Sequence, residues 1–378
     1  MVFIGFGCLY AYLRQHSVTS VGLNFILGAF TVEFSLIALT FWTWVFEDKW
    51  SKQEINLPVM ILAVYTGATV LISLGGTIGK LSLPQYMLMV VLETIFCVLN
   101  SRLGDIKLYT VDLGGSMNIH TFGAFFGVAM TWVMFHGDKA KMQTKEKSDK
   151  ISKTISFIGT IFLWLYWPSF NTANTFTTPS HAKHRGLINT YLSILGSCMG
   201  AFMVSLFVKK GKMNIKDILH ASVAGGVIIG GCSTLIIYPV VAIIVGFLGG
   251  VVSTICYEFL TPCLQNKGNL FDAAGILSLH GIPGFIGGAL TAIFISDMNL
   301  KDWGAEYLTV YVKNTRSPSK QAGMQVAALF ITLGISVVSG VITGLILNTK
   351  CMFPIKNYFD DREYWDKKRK KFSMKRRK

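Results

Sequence analysis

The segment "VDLGGSMNIHTFGAFFG", starting at residue 111, holds one acid, Asp112, and one histidine eight residues later, His120. The segment "FDAAGILSLHGIPGFIGG", starting at residue 271, repeats the arrangement with Asp272 and His280. Aligned at their acids, the two share D-x-x-G-x-x-[NS]-[IL]-H-x-x-x-x-F-x-G at a separation of 160 residues. A neutral imidazole offers one donor and one acceptor, so a histidine pair can hand along a small hydrogen-bonding molecule. A cation would need carboxylates or carbonyl rings at its constriction, yet no acid lies within seven residues of either histidine. Two imidazoles are too few for a zinc site. Asp112 would lie about 12 Å along a helix from His120, at about 1.5 Å per residue, too far to join the same coordination shell. No HExxH, GxSxG or comparable catalytic signature occurs. The pair therefore points to transport rather than catalysis, with no cofactor and no bound metal expected. A histidine-based metal transporter is the weaker alternative.

The elements that must position these residues are apolar. The chain has 378 residues, 52% of them hydrophobic and only 15% charged, against about 25% charged in soluble domains. A membrane span takes about 20 mostly apolar residues. Such runs recur near 1–14, 20–45, 57–79, 84–100, 114–135, 155–171, 187–208, 217–236, 239–260, 273–296 and 323–348, which makes about eleven. Backbone groups find no water in lipid, so these runs are predicted as helices, and the alternation of a membrane β-barrel is absent. His120 falls in the fifth span and His280 in the tenth. Five spans is an odd number, so the two helices run in opposite directions, the mark of an inverted repeat. The predicted fold is an all-α polytopic membrane protein of two inverted five-helix repeats plus a C-terminal helix. Residues 1–350 form one transmembrane domain and 351–378 a basic cytoplasmic tail.

An inverted repeat brings equivalent residues together near the midplane, so His120 and His280 are expected within hydrogen-bond distance. A polar group at that depth costs several kcal/mol unless paired. Two histidines can satisfy each other, and burial favours both in the uncharged form. Asp112 and Asp272 head their helices, where a carboxylate can cap the first amides. Asp272 reads as a structural cap. For Asp112, capping and contact with the substrate both remain open.

Of the 35 basic residues, 25 fall on the side of the second loop, counting from an N-terminus on the first side. Lys and Arg in short loops mark the cytoplasm, so the N-terminus is expected outside and the C-terminus inside. The net charge of +15 is then explained by inner loops and the tail "DKKRKKFSMKRRK" rather than by nucleic acid. A basic juxtamembrane tail is drawn to anionic lipid, with docking to a cytoplasmic partner as the alternative. The lysine-rich stretch "GDKAKMQTKEKSDKISK" reads as a solvated connector. Seven scattered cysteines without a CxxC pair suit no disulfide framework. Glu33 and Glu93 lie inside predicted spans and read as protonated or hydrogen-bonded structural groups. The Gly-rich runs "AGGVIIGGC" and "GFLGGVVSTICYEF" read as close helix crossings.

The strings "MVFIGFGCLYAYL", "VGLNFILGAF", "DLGGSMNIHTFGAFFG", "GTIFLWLYWPSFNTAN", "HRGLINTYLS", "ASVAGGVIIG" and "LHGIPGFIGG" resemble the Rhesus (Rh) glycoproteins. These are the eukaryotic branch of the ammonium transporter family. The resemblance runs from residue 1 to about 350, with both histidines in place. It implies the ammonium-transporter fold, a homotrimer in the plasma membrane, and a hydrophobic pore in each protomer with neutral twin histidines His120 and His280. It further implies an outer aromatic gate of Tyr65 and Phe170, the acid Asp112 at the head of the fifth span, and Asn174 as the polar residue at the pore mouth. Ammonium is recruited outside and loses its proton, and ammonia passes. Passage of CO2, or an ammonium sensor with little flux, are alternatives. Three departures from the family pattern stand out. The usual additional first span and glycosylated loop are missing, as in a compact gene or a fragment. Tyr65 stands where Phe is usual, and its hydroxyl is expected to offer a hydrogen bond to an entering ligand. Ser101 stands where animal members carry Glu, which implies weaker cation recruitment.

Overall fold

A computed structural model describes residues 2–48, 50–134, 147–175, 178–311, 316–350, 360–361 and 365. Most of the lysine-rich connector and most of the basic tail lie outside the described residues. The described part is helical: α1 (Val2–Tyr10), α2 (Ser17–Glu47), α3 (Leu57–Thr77), α4 (Leu83–Arg102), α5 (Phe122–Met134), α6 (Lys150–Thr172), α7 (Ser180–Val208), α8 (Ile215–Ala221), α9 (Ala224–Ile229), α10 (Pro239–Ile255), α11 (Thr261–Gly268), α12 (Ile282–Asp297), α13 (Leu300–Trp303), α14 (Ala305–Val310) and α15 (Pro318–Leu347). Among the described residues, seven helical stretches are long and apolar enough to cross a membrane: Arg14–Glu47, Leu57–Thr77, Leu83–Leu108, Ser180–Val208, Pro239–Gly268, Leu277–Asp297 and Pro318–Leu347. Their outward faces carry exposed Phe25, Ile37, Phe207, Ile244 and Phe330. A soluble protein would not leave so many large apolar side chains uncovered. This is an integral, multi-pass membrane protein.

The helix ends follow from local chemistry. Asn56 accepts the Val59 amide at the start of α3, and Asp149 and Ser152 form a reciprocal capping box at the start of α6. Pro follows directly at the N-termini of α3, α4, α10 and α15, where its missing N–H is harmless. The start of α2 is capped from the far end of the chain. The carboxylate of Asp361 accepts the amides of Val18 and Thr19 at 3.0 and 2.8 Å. The Trp365 indole donates to Thr19 Oγ1 at 3.0 Å.

The Gly-rich runs do bring helices close. A Cβ on Gly246 would lie 1.9 Å from the carbonyl oxygen of Ser193, and one on Gly250 would lie 2.0 Å from that of Ser197. Only glycine lets α10 cross α7 at that distance.

The two Asp-bearing segments are each held by a backbone bond to a distant part of the chain. Gly114, two residues after Asp112, donates to Gly230 O at 3.0 Å; Ala274, two residues after Asp272, donates to Gly75 O at 3.0 Å. Each acid-bearing turn is thereby held by a glycine from the opposite half of the chain. The C-terminal helix α15 adds a clamp on the first turn: Gln325 accepts from Val111 N at 2.8 Å and donates to Val111 O at 2.7 Å.

Candidate functional site

Both histidines sit on π-helical turns, Ser116–Thr121 and Leu277–Gly281, that open into α5 and α12. Wide turns of this kind recur at functional sites because they displace side chains from the regular helical register. Each turn is preceded by a left-handed glycine, Gly115 at φ +73° and Gly275 at φ +76°. That backbone region suits glycine. A Cβ there would also strike Ile119 or the Tyr257 ring.

The acids cap these turns as expected. Asp112 Oδ2 accepts the amides of Met117 and Asn118 at 3.0 and 2.8 Å. Asp272 divides the task, Oδ1 taking Ile276 N and Oδ2 taking Leu277 N, both at 2.8 Å. The asymmetry matters: both oxygens of Asp272 are used, whereas Asp112 Oδ1 has no hydrogen-bond partner.

His120 and His280 are fully buried. Their Nδ1 atoms lie 3.2 Å apart, and the rings are stacked at 5.1 Å with 9° between planes. One Nδ1 must carry a proton and the other a lone pair. For two neutral rings the outward nitrogens then differ as well, one Nε2 being an acceptor and the other a donor. Neither Nε2 has a partner. The pair thus presents one donor and one acceptor side by side in an apolar enclosure.

That enclosure is aromatic. Trp167 stacks on His120 at 5.6 Å and 23°, and lies 6.5 Å from His280. Phe170 stands 6.2 Å from His120, and Phe6 stands 5.6 Å from His280. Sequence reasoning singled out Phe170 but not Trp167 or Phe6. The available signal was spacing, since Trp167 precedes Phe170 by three residues and so shares its helix face.

Tyr65 and Phe170 meet as the resemblance implied, their rings 4.8 Å apart and tilted by 50°. The tyrosine hydroxyl is not free to donate to a ligand. It donates to Phe170 O at 2.5 Å, which ties the two residues together and leaves the oxygen lone pairs to accept from an N–H group. Beside this pair lies a small cavity of about 40 Å³ lined by Tyr65, Asp112, Asn118, Asn174, Ser101 and Asp105, among others. The structure therefore places Asp272 at the other histidine-bearing turn and brings Tyr65, Asp112 and Asn174 to one cavity. It also places a second acid there, Asp105, one helical turn beyond Ser101.

The intramembrane carboxylates differ from each other. Glu93 is fully buried, with Oε1 2.5 Å from Ser73 Oγ, which also lies 2.7 Å from Gly123 O. One hydroxyl has one proton. If Ser73 donates to the carbonyl, Glu93 must be the protonated donor to Ser73, the neutral structural role expected for it. Glu33, by contrast, lies exposed on α2. Among the described residues, no group of three or more His, Cys, Asp or Glu side chains gathers as a metal site would require.

The comparisons with known proteins agree with this geometry. The model of the Ammonium Transporter Family matches residues 1–361. The ammonium transporter Rh type C of Xenopus laevis is 37% identical, over 97% of this chain and 78% of its own length. The ammonium transporter Rh type B of Mus musculus is 34% identical over 97% and 81%. Among solved structures, Rh50 of Nitrosomonas europaea, described as one of the Rhesus family of channels, superposes with a TM-score of 0.79 at 26% identity, covering 97% of this chain and 89% of that one. Mep2 of Saccharomyces cerevisiae has a TM-score of 0.70 at 17% identity, covering 92% and 82%, and shares the fold. A match over nearly the whole chain, from sequence and structure alike, leaves one assignment: this chain belongs to the ammonium transporter family.

Proposed function

We propose that this protein conducts ammonia across a membrane through a pore within the chain, with His120 and His280 at its narrow centre. The observation that carries the reading is the hydrogen-bonded, stacked imidazole pair with both Nε2 positions open inside an aromatic wall. Ammonia has one lone pair and three N–H groups, so it can accept from one Nε2 and donate to the other. An ammonium ion has no lone pair. Without a carboxylate or carbonyl ring beside the histidines, it would lose its hydration without replacement.

The roles then follow in order along the pore. Asp112, with its free Oδ1, and Asn174 line the outer cavity, where ammonium is drawn in. Phe170 and Tyr65 form the constriction that water-bound cations do not pass. The proton returns to the outer water, and the neutral molecule meets the twin histidines. Asp272, with both oxygens committed, serves only the fold.

The helical order supports eleven passes arranged as two inverted five-helix repeats plus α15, with the short α1 as the first. On this reading residues 1–350 are one transmembrane domain. The N-terminus faces outward and the lysine-rich side faces the cytoplasm, in the plasma membrane. The exposed Glu33, in mid-helix on an otherwise apolar face, favours burial of that face in an assembly, and the family relationship favours a homotrimer. Native mass spectrometry in mild detergent reads the assembly directly, and a monomer would contradict it.

The central test is a proteoliposome carrying an internal pH dye and electrodes. An inward ammonium gradient should alkalinise the lumen without current. One positive charge moved per ammonium would overturn the ammonia reading.

A further inference from the structure

Inward of the twin histidines, a third histidine is buried. His220, on α8, is 1% exposed, and its Nδ1 lies 2.9 Å from Tyr257 Oη. The same hydroxyl lies 3.3 Å from Ala274 O. The ring is boxed edge-on by Tyr257 at 5.4 Å and Tyr12 at 5.8 Å. Its Nε2 has no partner. Both possible proton arrangements leave that nitrogen open. If Tyr257 donates to Ala274 O, then Nδ1–H donates to Tyr257 and Nε2 is a bare acceptor. If Tyr257 donates to Nδ1, then Nε2–H is a bare donor.

A second open group lies nearby. Tyr10 is fully buried, and its hydroxyl is also without a partner. Its ring is 6.1 Å from Phe6, which is itself 5.6 Å from His280. Tyr10 reaches the same spot: a Cβ on Gly75 would lie 2.6 Å from Tyr10 Cζ, and Gly75 O accepts the amide of Ala274, whose carbonyl faces the Tyr257 hydroxyl. The lysines at 209, 210 and 212 precede α8 in the chain and Lys216 lies in its first turn, so His220 sits on the lysine-rich side of the central pair.

Buried polar groups are normally satisfied, and each exception needs a reason. Phenylalanine at position 10 would fill that space without an unpaired hydroxyl. We propose that His220 Nε2 and Tyr10 Oη are an inner station of the pore, which hydrogen-bonds the neutral ammonia leaving His280 before it reaches the inner water. The station extends the chain of donors and acceptors one step inward and keeps the departing molecule from crossing a purely apolar exit. This inference rests on the ammonia-conduction reading above.

The experiment uses the full chain in proteoliposomes, with ammonium chloride as the probe and the parent protein alongside. H220F should slow lumen alkalinisation about tenfold, and H220Q, which keeps a hydrogen-bonding head, should retain at least about half of the parent rate. Y10F deletes one hydroxyl that has no partner, should fold as well as the parent, and should slow the rate about threefold. Melting temperature and detergent monodispersity are measured for all three. If H220F fails to fold, Y10F decides. Folded H220F or Y10F that conducts like the parent overturns the inner station while leaving the ammonia reading intact. A parent that carries current, or does not alkalinise the lumen, overturns both.

Discussion

The Nδ1 atoms of His120 and His280 lie 3.2 Å apart, within hydrogen-bond distance, although the residues are 160 positions apart. One proton in that gap gives the two outward Nε2 groups opposite polarity as long as both rings are neutral. On the ammonia-conduction proposal, this pairing is what tells ammonia from ammonium, and it leads directly to a test.

Replacing His120 with Asp puts a carboxylate where the shared proton was. A carboxylate at this depth either takes up a proton or attracts a cation. In the second case H120D should carry a measurable current under an ammonium gradient and the parent none. Electrophysiology on supported bilayers reads this. A parent that already carries one charge per ammonium, with that ratio unchanged in H120D, would refute the neutral-pair argument.

Tyr65→Phe removes the bond from the hydroxyl to Phe170 O while keeping the ring. The cost in stability should be about 1 kcal/mol, and flux should stay within about threefold of the parent, because the hydroxyl proton is engaged with the backbone. Phe170→Ala should behave differently, widening the mouth without adding charge. Stopped-flow rates for both variants separate the two effects, and a collapse of flux in Y65F would restore a ligand role to the hydroxyl.

Glu93→Gln should be tolerated, since a side-chain amide can donate to Ser73 Oγ as a protonated carboxyl does. Ser73→Ala should cost about 1–3 kcal/mol by leaving the buried acid unpaired. Thermal melts in detergent give the ordering. If E93Q were the more damaging of the two, the acid would have to be ionised and working.

Asp112 and Asp272 cap equivalent turns but differ in one free oxygen. Asp112→Asn keeps an oxygen to cap Met117 and Asn118 and removes the charge at the outer cavity. It should lower the initial rate at low ammonium about tenfold with little change in melting temperature. Asp272→Asn cannot satisfy both Ile276 and Leu277 with its one oxygen. Its loss should appear mainly in stability, at about 0.5–2 kcal/mol. The reverse assignment of effects would exchange the two roles.

Asp361→Ala removes the cap at the start of α2 and should cost about 0.5–2 kcal/mol. Limited proteolysis of the C-terminal segment should speed up in parallel. Unchanged digestion would mean that Trp365 alone holds the segment against Thr19.

Much of the architecture was legible in the residues. Apolar runs of span length, broken by charge, locate the helices because lipid leaves the backbone no alternative. The Asp-x7-His repeat marked the two segments that carry the histidines. The caps by Asp112 and Asp272 were legible too, since a carboxylate just ahead of a helix has its partners within a few residues. Tyr65 and Phe170 were reached only through family resemblance, and aromatic composition alone would have left them as packing.

Local order along the chain sets which segments are helices, which residues head them, and that two histidines follow an acid at the same spacing. Tertiary structure alone decided which atoms meet. It made the histidine turns π-helical, set Trp167 against His120, engaged the Tyr65 hydroxyl with Phe170 O, turned Glu93 toward Ser73 and left Asp112 Oδ1 open. The reason is physical. A hydrogen bond depends on the distance and direction between groups that the chain brings together from far apart. Gln325 holds Val111 from 214 residues away, and no local pattern in the sequence encodes that approach.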